Sequence, residues 1–188
     1  MSMIRIGIAS NTTQGTSAEL RSSTLPVFIG NTTTKGGFFF NTTVGVAVPA
    51  SGSRAFVGLK DSTTVLSNGN PSAQTNCVGM YYDDTDSNWK MISANATANS
   101  VTDLGVSFPC NTGNTDMYSL SLYCPTGNTT WIGWQVTNKR TGATFNGAFT
   151  SALPPVNTTM GWKVWMNNGA TTTGTVIDTM GVYLETEN

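Results

Sequence analysis

The chain has 188 residues, of which 10% are charged and 38% hydrophobic, and its formal net charge is −1. The apolar fraction is sufficient for a folded core, whereas the scattered basic residues form no positive patch of the kind that nucleic-acid binding requires. No apolar run approaches the roughly 18 residues of a membrane-spanning helix, and the N-terminus lacks a signal-peptide pattern. We therefore expect one domain, residues 1–188, that is made in a cytosol, binds no nucleic acid and inserts into no membrane.

Short apolar runs, several of them alternating with polar residues, predict β-strands along the whole chain. Turn-forming sequences such as Ser67–Pro71 and Arg140–Gly142 separate these runs, and helical periodicity is almost absent. Strands at roughly ten-residue spacing are typical of an all-β fold, here an antiparallel β-sandwich or jelly roll of the lectin-like kind. The expected strands cover residues 4–8, 26–29, 37–48, 55–59, 77–82, 89–92, 117–123, 131–136, 143–149, 161–166 and 174–184.

The first part of the chain, residues 1–35, has two interpretations. It is either an N-terminal arm that attaches to neighbouring molecules or an edge strand that completes the sandwich. The run GGFFF, from Gly36 to Phe40, follows it and fits the first core strand.

An acidic segment, Asp83 to Asn88, lies between the strands expected at 77–82 and 89–92. The oxygen-bearing side chains of Asp84, Asp86 and Asn88 alternate like the first three ligands of a calcium loop. However, the glycine and the final glutamate of such a loop are missing. The pattern therefore favours a hairpin tip whose side chains accept hydrogen bonds from backbone amides, with no cofactor, and calcium at Asp84, Asp86 and Asn88 is the alternative.

Catalytic chemistry has little support in the sequence. The chain has no histidine, so serine and cysteine nucleophiles lack their usual activating base, and the carboxylates are scattered. The sequence therefore predicts that the protein is not an enzyme. Cys77, Cys110 and Cys124 are expected to be buried free thiols, with a Cys110–Cys124 disulfide as an alternative in oxidising surroundings.

Aromatic residues supply the candidate binding site. Trp131 and Trp134 are separated by an odd number of positions, as are Trp162 and Trp165, so the members of each pair face opposite sides of a regular strand. Unless both faces of the sheet are covered, one member of each pair is exposed or lies at an interface. Core packing, a subunit interface and a glycan platform are the three interpretations, in that order. The candidate binding residues are Tyr82, Trp89, Trp131 and Trp165.

Several phrases of the sequence, in one order along the chain, carry a resemblance to a known module. The first is SNGNPSAQTNCVGMYYDDTDSNWKM, from Ser67 to Met91, and LGVSFPC, DMYSLSLYCP, WQVTNKRTGATFNG, TSALP and VYLETEN follow. Together they cover roughly residues 54–188. This part of the chain resembles a module near the C-terminal ends of structural proteins of tailed bacteriophages, especially tail-fibre and receptor-binding proteins.

The resemblance implies a virion structural protein that is made in the cytoplasm of the bacterial host and takes part in host attachment. It also implies a homotrimer, with other virion proteins and a glycan or protein of the host surface as further partners. A capsid decoration or cement protein is the first alternative. A lectin-like carbohydrate-binding protein, unrelated to assembly, is the second.

Overall fold

The computed structural model describes residues 5–31 and 35–186, and the strands within these ranges form two six-stranded antiparallel sheets. The prediction of an all-β antiparallel sandwich is confirmed. One short 3₁₀ turn, Pro71–Ala73, is the helical element of the described ranges, and none of their helices is long enough to cross a bilayer. The strands are β1 Ile6–Ala9, β2 Ser17–Arg21, β3 Phe38–Val48, β4 Arg54–Lys60, β5 Cys77–Tyr82, β6 Lys90–Ala94, β7 Asn99–Asp103, β8 Tyr118–Cys124, β9 Ile132–Asn138, β10 Thr144–Phe149, β11 Gly161–Asn167 and β12 Val176–Thr186.

The two sheets are interleaved along the chain. Sheet 1 has the strand order β1-β12-β3-β8-β9-β10, and sheet 2 has the order β2-β11-β4-β5-β6-β7. In each sheet, consecutive strands form one half, β8-β9-β10 in sheet 1 and β5-β6-β7 in sheet 2. In the other half a late strand pairs with an early one, β12 with β3 in sheet 1 and β11 with β4 in sheet 2. Residues 5–31 contribute one edge strand to each sheet, β1 beside β12 and β2 beside β11. Residues 1–4 and 32–34 lie outside the described part.

Most expected strands are observed, with ends displaced by one or two residues. The strand expected at 77–82 has the same bounds as β5, whereas Ile4 lies outside the described residues. The strand expected at 26–29 is reduced to one bridge between Val27 and Met160. β2 and β7, with sequences SAELR and NSVTD, were not predicted. Both are edge strands with few apolar residues, so no hydrophobic alternation marks them.

A hydrophobic core fills the space between the sheets. Strand β8 shows how alternating residues build this core. Its Tyr118, Leu120 and Leu122 are fully buried, while the residues between them face outward. Each buried leucine contributes about 2 kcal/mol through removal of apolar surface from water. The cysteines are free and buried, as expected, and burial raises the pKa of Cys77 to about 12, so its thiol stays protonated.

The outer face of sheet 2 is also covered. The segment 61–76, which we call the strap, connects β4 to β5, and its Leu66 packs in a second apolar cluster with Phe56, Tyr81 and Trp165. Beneath the strap, the fully buried Lys163 donates hydrogen bonds of 2.7 Å to Glu19 Oε1 and to the carbonyl of Thr64. The amide of Leu66 donates to Glu19 Oε2 at 2.9 Å. The ion pair therefore ties the strap to strands β2 and β11.

This ion pair generates a prediction about stability. Glu19→Ala should lower the free energy of unfolding by about 3 kcal/mol, because it leaves the Lys163 ammonium buried without a counter-charge. Replacing both partners by methionine should recover most of that loss, since no buried charge then remains.

Urea unfolding followed by tryptophan fluorescence measures both effects. Glu185→Ala, which removes an exposed carboxylate, is the control and should change stability by less than about 0.5 kcal/mol. A Glu19→Ala loss no larger than that of the control would show that the pair does not hold the strap.

Candidate functional site

Three of the four candidate binding residues are buried, in agreement with core packing, the first of the three interpretations, so these three do not form a solvent-facing binding surface. Tyr82 and Trp89 have exposed fractions of 0% and pack edge-to-face between the sheets, with ring centroids 4.8 Å apart. Trp165 is 1% exposed and lies under the strap on the other side of sheet 2. Trp162 packs on the core between the sheets and Trp165 in the outer cluster, so this pair faces opposite sides as expected, and the exception for a sheet covered on both faces applies.

Trp131 is the predicted residue that reaches a partly open surface. It is half-buried and lies against the exposed Tyr123, with ring centroids 6.0 Å apart, whereas Trp134 points into the core. The expectation that Trp131 and Trp134 face opposite sides is confirmed. Gly133 makes room for the Trp131 ring, because a Cβ at this position would lie 3.0 Å from a ring carbon.

Two further exposed aromatic rings extend this surface across the outer face of sheet 1. Phe39 on β3 is the Cα partner of Tyr123 on β8, and its ring lies 6.1 Å from that of Tyr183 on β12. Directly paired residues of neighbouring antiparallel strands present their side chains on the same face. The exposed fractions of Phe39, Tyr123 and Tyr183 are 36%, 48% and 54%. We call the set Tyr183, Phe39, Tyr123 and Trp131 the aromatic strip.

A β-bulge in β12 determines that Tyr183 belongs to the strip. Thr179 pairs with Val44 but Val182 pairs with Thr42, so β12 contains one extra residue between these pairs. Gly181 lies in this bulge with a φ of 84°, a conformation that glycine adopts without steric cost. The inserted residue changes the alternation, so that Val182 packs on the core and Tyr183 faces outward.

Amide and hydroxyl side chains lie beside the strip. Tyr183, Asn41, Ser121 and Gln135 are successive Cα partners across β12, β3, β8 and β9, which places their side chains in one row. The Nδ2 of Asn41 donates to Ser121 Oγ at 2.8 Å and to the carbonyl of Leu120 at 3.2 Å. These bonds fix the orientation of the Asn41 amide at the surface.

One carboxylate, Glu185, adjoins the rings. The hydroxyl of Tyr183 donates to Glu185 Oε2 at 2.9 Å, and this bond raises the pKa of Tyr183. A pocket of about 150 Å³ lies where β3 begins and where β8 and β12 end, and Phe39, Tyr123, Thr126 and Glu185 are among its lining residues. The face thus combines flat apolar surfaces with hydrogen-bonding groups of both polarities.

Phe39, Tyr123 and Tyr183 were not among the residues predicted from the sequence. Period-two alternation marks the first two, because Phe38 and Phe40 flank Phe39 as core residues and Leu122 precedes Tyr123. Tyr183 carried no such signal, since the bulge at Gly181 reverses the alternation of β12.

The acidic segment forms the tip of the hairpin between β5 and β6, and two of its three predicted ligands, Asp84 and Asp86, accept hydrogen bonds from cationic side chains. Arg54 donates to Asp84 Oδ2 at 3.1 Å, while Lys90 donates to Asp86 Oδ1 at 2.6 Å. The amide of Asp83 donates to Asp86 Oδ2 at 2.9 Å, and the backbone of Asn88 bridges to Pro109.

Charge pairing explains the electrostatics of this tip. Burial alone would raise the pKa of Asp84, but hydrogen bonds from Arg54 and Asn70 outweigh it and lower the pKa. Within residues 5–31 and 35–186, no three His, Cys, Asp or Glu side chains are grouped as a metal site. The observed geometry is the hairpin tip that the sequence pattern favours.

Comparison with known proteins identifies the fold. No family model and no curated protein sequence matches this chain. Its structure is similar to an isoform of the Lotus tetragonolobus seed lectin, with a TM-score of 0.59, 11% identity and coverage of 100% of this chain and 94% of the lectin. It is also similar to alginate lyase A1-II′, a member of polysaccharide lyase family 7, with a TM-score of 0.55, 15% identity and coverage of 91% and 71%.

A third similar structure is the CBM2 module of the evolved Dit protein of Lactobacillus casei BL23 phage J-1. The TM-score is 0.54 and the identity 14%, with coverage of 96% of this chain and 76% of the module. Lectins, a lyase and a phage module therefore share this β-sandwich. At these identities the similarity establishes the fold and leaves function to the site itself.

The prediction that this chain is not an enzyme is overturned, because alginate lyase A1-II′ is an enzyme with the same β-sandwich fold. The prediction relied on the absence of histidine. Tyrosine, lysine and carboxylate groups also transfer protons in general acid–base catalysis, so that premise was too narrow. Neither the fold nor the composition excludes catalysis.

The hairpin tip generates a prediction about calcium. Adding calcium or a chelator should leave the melting temperature unchanged, because Asp84 and Asp86 already accept hydrogen bonds from cationic side chains and a ligand stabilises only by binding the folded state. Asp86→Ala should lose about 1 kcal/mol equally in both conditions, through its bonds to Lys90 and the Asp83 amide. Differential scanning calorimetry measures this. A calcium-dependent rise in the melting temperature that disappears in Asp86→Ala would restore the metal-site interpretation.

Proposed function

We propose that this protein recognises carbohydrate through the outer face of sheet 1, as a structural component of a bacteriophage particle that contacts the host surface. The observation that carries the proposal is the aromatic strip with its adjoining amides and hydroxyls. Sugars present flat C–H faces that pack on aromatic rings, and their hydroxyls require donors and acceptors at the edges of those rings.

The strip is well suited to binding because the strands hold it in place. Phe39 and Tyr123 belong to adjacent strands, and each alternates with residues buried in the core. Side chains on rigid elements lose little conformational entropy when a ligand arrives, so more of the contact energy appears as affinity. Contiguous exposed apolar patches on monomeric proteins often mark interaction sites, and the rings of the strip form such a patch.

The phage setting is supported by the resemblance of residues 54–188 to tail-fibre and receptor-binding modules and by the similarity in fold to a phage Dit module. A receptor-binding role, with a homotrimer as the assembly, fits both. The cement-protein alternative is less well supported, since it requires an N-terminal arm that reaches neighbouring molecules. Residues 5–31 instead pair along the sandwich as β1 and β2, and Ser10 and Thr175 connect the intervening loop to the sheet through a 3.1 Å hydroxyl contact.

Two phenylalanines of equal exposure test the site. Phe39 is 36% exposed on the strip, and Phe145 is 37% exposed on β10, where it packs against Trp134 instead. Phe39→Ala should weaken binding to polysaccharide extracted from the host envelope about tenfold, which corresponds to about 1.4 kcal/mol. Phe145→Ala is the matched control and should leave the affinity unchanged.

Affinity electrophoresis and competition with phage adsorption measure the effect, and the chain length of the polysaccharide is followed in parallel because the fold also occurs in a lyase. Equal loss in the two variants would remove the strip as the site. Absence of binding to cells and to their polysaccharides would refute the proposed function.

A further inference from the structure

We propose that the ligand of the aromatic strip is an uncharged, linear oligosaccharide of about four units that lies across the strands of sheet 1. This inference rests on the proposed function, because it names the class and the length of the carbohydrate. It follows from the spacing of the rings, from the charge of the residues around them and from the position of Glu185.

The spacing of the rings fixes the direction of the ligand. The four rings occupy β12, β3, β8 and the residue before β9, which are neighbours in the order β12-β3-β8-β9. Tyr183 is the Cα partner of Asn41, two residues along β3 from Phe39, and Trp131 lies two residues before Gly133, the partner of Tyr123. Neighbouring strands lie about 4.8 Å apart and residues rise about 3.4 Å along a strand, so the strip crosses the strands diagonally over about 20 Å. This length is comparable with that of four pyranose units in a linear chain. A chain of about four units therefore spans the four rings.

The rings form two pairs, and a pocket lies beside the two inner rings. The ring centroids of Tyr183 and Phe39 are 6.1 Å apart and those of Tyr123 and Trp131 are 6.0 Å apart, and Phe39 and Tyr123 both line the pocket of about 150 Å³. A sugar unit at the centre can direct one substituent into this pocket. Its apolar walls and the oxygens of Thr126 and Glu185 suit a hydroxymethyl or acetamido group, which has both apolar and hydrogen-bonding parts.

Charge around the strip favours an uncharged ligand. Among the described residues, the outward positions of β3, β8 and β9 next to the rings carry amides and hydroxyls, and Glu185 is the acid that lines the pocket. Lys139 and Arg140 follow the opposite end of β9, and Arg140 is paired with Asp116 at 2.7 Å. A uronic acid unit would therefore place its carboxylate near Glu185, and like charges at close range repel.

Glu185 also favours ligands that carry a hydrogen-bond donor. Tyr183 donates to its Oε2, and within the described ranges no hydrogen bond reaches Oε1. That oxygen is able to accept a hydrogen bond from a sugar hydroxyl or from the N–H of an acetamido group. A bond to a charged acceptor is stronger than a neutral one, so this contact selects a donor on the ligand.

Calorimetric titration of the full chain tests the inference with cello-oligosaccharides, chito-oligosaccharides and oligogalacturonates, each from dimer to hexamer. Affinity for one of the neutral series should rise up to the tetramer and then level off. It should exceed the affinity for oligogalacturonates of equal length about tenfold or more. In Trp131→Ala the rise should end at the trimer, because one terminal ring is lost while the others remain.

Two variants, each of which removes one charge near the strip, test whether charge determines the preference for neutral ligands. Glu185→Gln should raise the affinity for oligogalacturonates about tenfold and lower that for the neutral series about threefold, because an amide oxygen accepts a weaker hydrogen bond than a carboxylate. Lys35→Ala is the control, because Lys35 is the exposed cation nearest the start of β3. Thermal melting confirms that each variant is folded.

The outcomes distinguish this inference from the proposed function. Tighter binding of oligogalacturonates than of both neutral series, or affinity that levels off at the dimer, would overturn the inference and leave carbohydrate recognition standing. Binding of oligogalacturonates that is lost in Lys35→Ala would also overturn it. If no oligosaccharide and no envelope polysaccharide binds, both the inference and the proposed function fail.

Discussion

Strand alternation links the core of this protein to its surface, because every residue buried between the sheets determines which way its neighbours point. In β3, burial of Phe38 and Phe40 forces Phe39 outward, and in β8 burial of Leu122 and Cys124 does the same for Tyr123. The hydrophobic effect that stabilises the sandwich therefore also positions half of the aromatic strip. Residues of the strip need no contacts of their own to hold their direction.

The two sheets use their outer faces differently. On sheet 2, the strap buries Trp165 and Tyr81 and joins Lys163 to Glu19, so large rings and charges there serve the stability of the fold. On sheet 1, no comparable segment covers the rings among the described residues, and Tyr123 and Tyr183 remain about half exposed. This asymmetry is the structural reason for placing recognition on the outer face of sheet 1 and not on that of sheet 2.

The sequence was informative where a local pattern determined the structure. Periodicity and turn residues predicted the β-sandwich, and the acidic run predicted a hairpin tip at 83–88, because both depend on short-range preferences. Which of the tryptophans are buried could not be decided in the same way, since it depends on segments distant in sequence, such as the strap over Trp165. The exclusion of catalysis failed for a different reason, because one missing residue type does not define what a fold can do.

The bulge at Gly181 shows that a single residue determines which side chains reach the outer face of sheet 1. One inserted residue in β12 exchanges the roles of successive side chains, and Tyr183 joins the surface while Val182 stays in the core. A register change of this kind is invisible to composition and to simple periodicity.

Placement of the strip on the outward positions of core strands also has an evolutionary consequence. A substitution at Phe39, Tyr123 or Tyr183 alters the outer surface without opening a cavity beneath it, because the inward neighbours that fill the core are different residues. A lineage facing a changing target is then able to explore new surface chemistries by single replacements, and each variant inherits an intact sandwich. The outward residues of a strand are therefore able to change while its inward residues, which hold the sandwich together, stay the same.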